Sequence, residues 1–385
     1  MKFMKTTIEV IKLVSVRITI LLFTLIVLQS DLLGQWNLSL STSQELNDNP
    51  FRSPIAESEL ISTFNLGIER ELDDFNLLYY GSFSLFNKSV LRNYYWHQLG
   101  LYTSNDNSIY GIYAEQRLNR SDFNFYNYID FTAYMRHSLE MDLFLPTILA
   151  SVAYKKYDNA PEYDNLFLSA GLNINKGFET KTTFIMQAVF NYKNYVNTGT
   201  SSGGQGRGRG VMASTEELPN ISTSQFYFNT RVAQSLFENT GLAAFYINRS
   251  LLGGSGTWEG SYDYNYSDES DLYDDPVSRN ENSFGVELTQ ILPLNIMLKS
   301  GYNYGTRDYP TQGIYTDAEN YSVDFDRSDT NSYLFLSLNK SFPIDSNEQS
   351  FINVGLSYGI LENESNSYWY DYKSNQFLIN LNLQF

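Results

Sequence analysis

The chain has 385 residues, with 43 acidic against 26 basic residues, a formal net charge of −17 and no cysteine. The absence of cysteine excludes lipoprotein anchoring, disulfide bonds, thiol catalysis and cysteine-ligated metal sites. The excess of negative charge argues against nucleic acid as a partner, because the chain would repel phosphates. The 31 tyrosines and 26 phenylalanines favour β-strands, and tyrosine is also enriched at membrane–water interfaces.

The first 34 residues have the pattern of a targeting segment. Four basic residues precede an apolar run at residues 18–28, and a small residue follows at Gly34. The apolar run is too short to span a bilayer. We therefore predict a secretory signal peptide over residues 1–34, with an uncleaved N-terminal anchor as the alternative, and one domain over residues 35–385.

The rest of the chain alternates apolar and polar residues in about sixteen segments, each near the length of a tilted membrane strand. Residues 166–175, 284–289, 334–340 and 351–360 are clear examples. Every second connection between segments is short, and most of the others are longer and polar. This pattern predicts an all-β fold: a single transmembrane antiparallel β-barrel of sixteen strands, with fourteen as the alternative. Short turns would face the periplasm together with both termini, and long loops would be extracellular.

The closing segment carries the same alternation to the last residue. Phe377, Ile379, Leu381, Leu383 and Phe385 share one parity and are all apolar. An alternating strand that ends in an aromatic residue resembles the C-terminal signature of bacterial outer-membrane β-barrels, where the assembly machinery reads it. The resemblance implies that Phe385 is an assembly signal and that the barrel-assembly machinery, membrane lipid and lipopolysaccharide are partners.

A second resemblance covers about the last 60 residues. A Ser-Asn pair at residues 365–366 precedes Tyr-Trp-Tyr at 368–370, and the final strand follows. This stretch is similar to the tails of barrels associated with surface-polymer export and surface-lipoprotein handling. Those barrels often carry a periplasmic helical-repeat domain, for which the sequence has no pattern.

These observations favour a porin-like outer-membrane channel for passive diffusion of small polar solutes. The first alternative is an accessory barrel for export of surface polysaccharide or surface lipoprotein. The second is a non-conducting surface scaffold that binds ligands through its outer loops. Neither the transported solute nor the oligomeric state follows from the sequence, so a homo-oligomer stays open.

Side chains on the inward parity would line the channel. The ionisable candidates are Glu69, Glu115, Arg117, Lys155, Arg231, Glu287 and Lys299. Such charges set the ion preference of a pore. Alternatively, these charged side chains pair with one another and serve only as the polar lining of a water-filled barrel. The lumen could also be filled by inward aromatic residues, namely Phe86, Tyr80, Phe167 and Tyr227.

Two loops carry concentrated charge. A glycine-rich stretch at residues 201–210 holds Arg207 and Arg209, which could constrict the mouth or contact an anionic partner. An acidic stretch at residues 262–275 includes Asp268 and Asp271, whose oxygens are of the type that binds calcium. The spacing is not that of an EF-hand, so we expect no metal site, and both stretches have the composition of ordinary solvated loops.

The sequence gives little support for an enzyme. It contains two histidines, His97 and His137, and no nucleophile motif. His97 shares parity with two leucines and is expected to face lipid, and His137 lies near a predicted short turn. We therefore expect neither catalytic residues nor a cofactor.

Overall fold

The computed structural model describes residues 36–141, 144–196, 222–254, 276–310, 312–344 and 350–384. The strands in this part of the chain are β1 Trp36–Asn47, β2 Glu59–Glu71, β3 Asn76–Phe86, β4 Tyr94–Ser104, β5 Ser108–Asn119, β6 Tyr128–Ser138, β7 Leu145–Tyr157, β8 Asn165–Gly177, β9 Thr182–Tyr195, β10 Ser222–Phe237, β11 Thr240–Gly254, β12 Asn280–Leu292, β13 Ile296–Tyr309, β14 Ile314–Tyr315, β15 Tyr321–Ser322, β16 Arg327–Pro343, β17 Phe351–Ser365 and β18 Tyr372–Gln384.

Sixteen of these strands close into one antiparallel barrel. Their order is β1 to β13, then β16, β17 and β18, which pairs back with β1. The predicted all-β barrel of sixteen strands is therefore confirmed, and the fourteen-strand alternative is wrong. No helix in the described residues is long and apolar enough to cross a membrane.

The two ends of the barrel differ in their connections. The short turns join β2 to β3, β4 to β5 and so on to β16 and β17, and we call this end the short-turn end. The other connections, most of which are longer, define the long-loop end. Several contain single turns of 3-10 helix, at Val90–Arg92, Ser121–Tyr126, Pro161–Tyr163, Pro276–Ser278 and Tyr368–Tyr370, and one short turn contains another at Pro293–Asn295. Alternation of short and long connections is typical of barrels that span an outer membrane.

The loop between β13 and β16 folds into a small hairpin of β14 and β15. Asp317 closes the hairpin: its carboxylate accepts hydrogen bonds from the Asn320 side chain at 2.7 Å and from the backbone N–H groups of Glu319 and Asn320 at 2.9 Å. These bonds stabilise the ionised form, so they lower the pKa of Asp317 below its usual value.

Strand register places one parity outside and the other inside. Leu356 pairs with Leu338 on one side and Ile379 on the other, and this outward row is apolar, with Leu356 and Ile379 exposed and Leu338 half-buried. The neighbouring Ser357 pairs with Ser337 on the inward face. His97 lies on the outward parity, where its Nδ1 is 2.8 Å from the Tyr79 hydroxyl. The alternation read from sequence thus separates a lipid-compatible exterior from a polar interior.

Candidate functional site in the barrel lumen

Inward side chains become more buried from the short-turn end to the long-loop end. In β1, Asn37 is exposed, whereas Glu45 and Asn47 near the long loops are only 4% and 3% exposed. In β16, Asn339 is half-buried near the short turns and Asp329 is 1% exposed at the other end. The water-accessible part of the lumen in the described residues therefore lies toward the short-turn end.

A cluster of three charges lies in this accessible part, on strands β10, β12 and β13, with β11 between the first two. Arg231 Nη2 is 3.5 Å from Glu287 Oε1, and Lys299 Nζ is 3.7 Å from the same oxygen. The side chains are 39%, 23% and 37% exposed in the order Arg231, Glu287, Lys299. We call these residues the lower cluster. Two cations share one carboxylate, so the cluster is formally positive and retains contact with water.

A second group of charges surrounds Glu281 nearer the long loops, and we call it the upper cluster. Arg279 Nη2 is 2.9 Å and Arg249 Nε 3.2 Å from Glu281 Oε2, and Arg307 Nε is 3.8 Å from Oε1. The Ser283 hydroxyl donates a hydrogen bond of 2.9 Å to Oε1. Glu281 is 7% exposed, whereas Arg249 and Arg307 are 22% and 20% exposed. The arginines therefore cover the carboxylate on the side that faces the lumen.

The upper cluster was missed by sequence reasoning, although a signal for it was present. Glu281 has the same parity as Glu287 in β12, and Arg307 has the same parity as Lys299 in β13. Both lie near strand ends, where boundaries read from sequence are uncertain by a few residues. Extending the parity of each strand to its full length would have included them.

The remaining predicted lining residues lie on the inward parity of β2, β5 and β7. The Tyr128 hydroxyl donates a 2.6 Å hydrogen bond to Glu115 Oε1, and Lys155 Nζ lies 4.5 Å from the centroid of the Tyr128 ring. Glu69 accepts a hydrogen bond from the Tyr102 hydroxyl. Glu115 and Lys155 thus share one tyrosine, while Glu69 lies apart from the other candidates.

Arg117 is inward but does not reach the accessible lumen. It is 2% exposed, its Nε donates a 2.9 Å hydrogen bond to Asn119 Oδ1, and its guanidinium lies 3.8 Å from the centroid of the Tyr94 ring. Its position is among the folded-in loops rather than in the water-accessible part of the lumen.

Several inward aromatic rings lie flat on the wall because a glycine faces them across the strand pair. Phe245 pairs with Gly285, where an added Cβ would lie 2.0 Å from the ring, and Phe335 pairs with Gly301, where it would lie 2.4 Å away. The same relation joins Tyr134 to Gly111 and Tyr80 to Gly67. These rings cover the barrel wall, so they occupy less of the lumen than their number suggests.

An aromatic cluster crosses the mouth at the long-loop end. It consists of the buried residues Tyr126, Tyr157, Ala160, Tyr315, Trp369 and Tyr370, and we call it the aromatic bridge. These residues come from the loops after β5, β7, β13 and β17 or from the adjoining strand end. In the strand order, β5 is eight strands from β13, and β7 is eight strands from β17. The bridge therefore joins opposite walls of the barrel.

Polar contacts fix the bridge to the wall. The Arg327 guanidinium lies 3.3 Å from the Tyr370 ring centroid and 4.0 Å from that of Tyr309, and it forms a two-point ion pair with Asp329. Gln312 Nε2 donates a 3.1 Å hydrogen bond to the Tyr370 hydroxyl. The side chains of Arg327 and Asp329 are at most 2% exposed. Buried contacts of this kind hold loops in one arrangement.

A smaller apolar cluster occupies the mouth beside β1 to β4. Phe51, Ile61, Phe86 and Tyr94 pack together there, and the Glu59 carboxylate accepts hydrogen bonds of 2.9 Å from the backbone N–H groups of residues 88 and 89. The long loops thus fold inward over much of the described rim. Sequence reasoning did not predict this, although the run of aromatic residues at 368–370 was an available signal.

Several candidates lie outside the described residues. These are Arg207, Arg209, Asp268, Asp271 and Phe385, together with the predicted signal peptide. In the part of the chain that is described, no group of three or more histidine, aspartate or glutamate side chains is arranged to hold a metal ion.

Comparison with known proteins gives similarity of fold. No protein-family model matches the chain, and no curated protein matches it either. Among solved structures, OccAB1 of Acinetobacter baumannii is similar with a TM-score of 0.54 at 10% identity, covering 91% of this chain and 96% of that one. OccK8 (OprE) of Pseudomonas aeruginosa gives 0.52 at 12% identity, covering 91% and 98%.

A third solved structure is described as a bacterial polysaccharide outer membrane secretin. It is similar with a TM-score of 0.51 at 8% identity, and the match covers 92% of this chain and 99% of that one. At these identities the likeness establishes the architecture alone. The chain has the fold of bacterial outer-membrane β-barrels.

Proposed function

We propose that the chain is a porin-like channel of the outer membrane, through which small polar solutes diffuse passively. The observation that carries the proposal is the lower cluster. Arg231, Glu287 and Lys299 stay between 23% and 39% exposed inside a closed barrel. A buried charge is costly unless an opposite charge pairs with it, and here two cations share the one carboxylate of Glu287. The unbalanced positive charge needs water, so a hydrated lumen at this level is the simplest account.

The mechanism follows from the barrel. Closed strand pairing satisfies the backbone hydrogen-bonding groups in lipid, and polar side chains on the inward parity support a column of water. Fixed charges then adjust which solutes enter. Aromatic rings held flat over Gly285 and Gly301 leave more of the cross-section to water.

The orientation is part of the same proposal. Short turns and both chain ends would face the periplasm, and the long loops would face the exterior among lipopolysaccharide. Phe385 would engage the barrel-assembly machinery. An epitope inserted in the turn after β10 would then be accessible to antibody only in permeabilised cells, and surface labelling of intact cells at this position would contradict the orientation.

A second candidate, a non-conducting surface scaffold, is favoured by the aromatic bridge. The bridge joins opposite walls across the mouth, and a barrel sealed in this way would present its outer loops for binding without passing solute. For the export alternative, the support is the similar fold of a polysaccharide secretin, which assigns no role to any residue of this chain.

Single-channel recording in a planar bilayer tests the proposal. We expect the purified protein to give discrete ohmic steps, and Lys299→Gln to change their ion preference. The control is Lys156→Gln, because Lys156 has the same charge but lies on the outward parity of β7. A barrel that is folded and heat-modifiable on a gel but gives no steps would refute the channel and support the scaffold.

A further inference from the structure

The accessible lumen has a charge balance opposite to that of the whole chain. The chain carries a formal net charge of −17. Among inward side chains of the described strands that are not buried, the cations are Arg136, Lys155, Arg231, Arg249, Lys299 and Arg307, and the anions are Glu69, Glu71, Glu115 and Glu287. Cations therefore outnumber anions where water and solute can reach.

Four of these cations lie on one wall, formed by β10 to β13. Arg231 and Lys299 flank Glu287 in the lower cluster, and Arg249 and Arg307 flank Glu281 in the upper cluster. In each cluster the two named cations are more exposed than the carboxylate: 39% and 37% against 23%, and 22% and 20% against 7%. A solute in the lumen meets positive charge first at both levels.

Between the clusters, the Phe245 and Phe335 rings lie flat over Gly285 and Gly301 on the wall. Glu281 and Glu287 are six positions apart along β12, which corresponds to about 20 Å of strand. The inward positions between them on β12 and β13 are small or polar, namely Ser283, Gly285, Gly301, Asn303 and Gly305. A solute leaving one pair of cations can therefore approach the next pair along the same wall.

The acidic residues on the opposite wall, β2 to β7, do not cancel the excess of accessible cations. Glu115 and Glu69 each accept a hydrogen bond from a tyrosine hydroxyl, and Lys155 lies against the tyrosine that holds Glu115. Glu69 and Glu115 are thus partly engaged, with a cation beside Glu115.

We infer that the β10–β13 wall selects small anionic solutes, carboxylates or phosphates, over cations of the same size. The inference rests on the proposed channel function and names its substrate class. Fixed positive charge in a narrow lumen with low-dielectric walls raises the local concentration of anions and lowers that of cations.

Reversal potentials across a planar bilayer with a KCl gradient test this inference. We expect the unmodified protein to pass chloride in preference to potassium, and the double variant R231Q/K299Q to lose most of that preference. The matched control is K156Q/K340Q, which removes the same charge from the outward parity of β7 and β16 and should leave the preference unchanged. Replacing chloride by acetate and then by phosphate distinguishes carboxylate from phosphate as the better permeant.

Each result decides a different point. Discrete steps that prefer potassium, or a preference that both double variants change equally, would overturn the inference while the channel stands. A folded barrel without steps would overturn the channel function and the inference with it. Retained heat-modifiable mobility in both double variants shows that the comparison is made between folded barrels.

Discussion

Opening the aromatic bridge should widen the outer mouth. Tyr370 is 1% exposed and packs with Trp369 and Tyr315, and its ring lies 3.3 Å from the Arg327 guanidinium. Truncating a buried aromatic side chain to alanine costs about 3–5 kcal/mol, and the lost cation–π contact adds about 0.5–2 kcal/mol. These costs fall on the folded-in loops, because the barrel strands retain their own pairing.

The variant Tyr370→Ala therefore favours displaced loops. Since each 1.4 kcal/mol is a factor of ten, a loss of about 3 kcal/mol raises the population of displaced loops by about 100-fold. We expect a larger single-channel conductance and faster proteolysis of the loops between β13 and β16 and between β17 and β18. The control is Phe325→Ala, because Phe325 is an aromatic residue in the same set of loops but is 63% exposed.

Two results would contradict the idea that the aromatic bridge closes the mouth of the barrel. If Tyr370→Ala is folded and heat-modifiable yet matches the unmodified protein in both conductance and loop cleavage, the loops do not restrict the mouth. If Phe325→Ala changes conductance as much as Tyr370→Ala, burial in the bridge is not the relevant property.

Three further predictions concern the barrel wall. Leu356→Lys, within the apolar outward row, should destabilise the barrel by about 2–4 kcal/mol in lipid, while Ser357→Lys should be much milder; equal denaturant midpoints for the two would contradict the assigned faces. Gly285→Leu should drive the Phe245 ring into the lumen, because an added Cβ lies 2.0 Å from it. It should therefore reduce conductance and cost about 1–3 kcal/mol of stability, and an undiminished conductance would count against the flat-ring arrangement. Asp329→Asn removes the carboxylate from a buried ion pair and should weaken loop packing by about 3–5 kcal/mol, measured as faster loop proteolysis, with Asp324→Asn in an exposed loop position as the control.

The sequence alone determined the barrel and the two faces of each strand, and it left the strand number open between sixteen and fourteen. Alternation with a period of two is a local property, so residues 351–360 reveal their inward and outward sides without knowledge of any partner strand. The lengths of the connections can likewise be read from the local sequence, and the alternation of short and long connections indicates which strand ends lie together. The inward positions of Arg231, Glu287 and Lys299 follow from the same parity.

Only the tertiary structure decided which inward residues meet and where the lumen stays accessible. Contact between Arg231, Glu287 and Lys299 depends on the register of four strands from β10 to β13, and a shift of that register would separate them without changing any local pattern. The aromatic bridge depends on loops more than 200 residues apart in sequence, from Tyr126 to Trp369, folding toward each other. Period-two alternation ends where strands end, so it carries no information on whether a long loop extends into solvent or packs into the mouth.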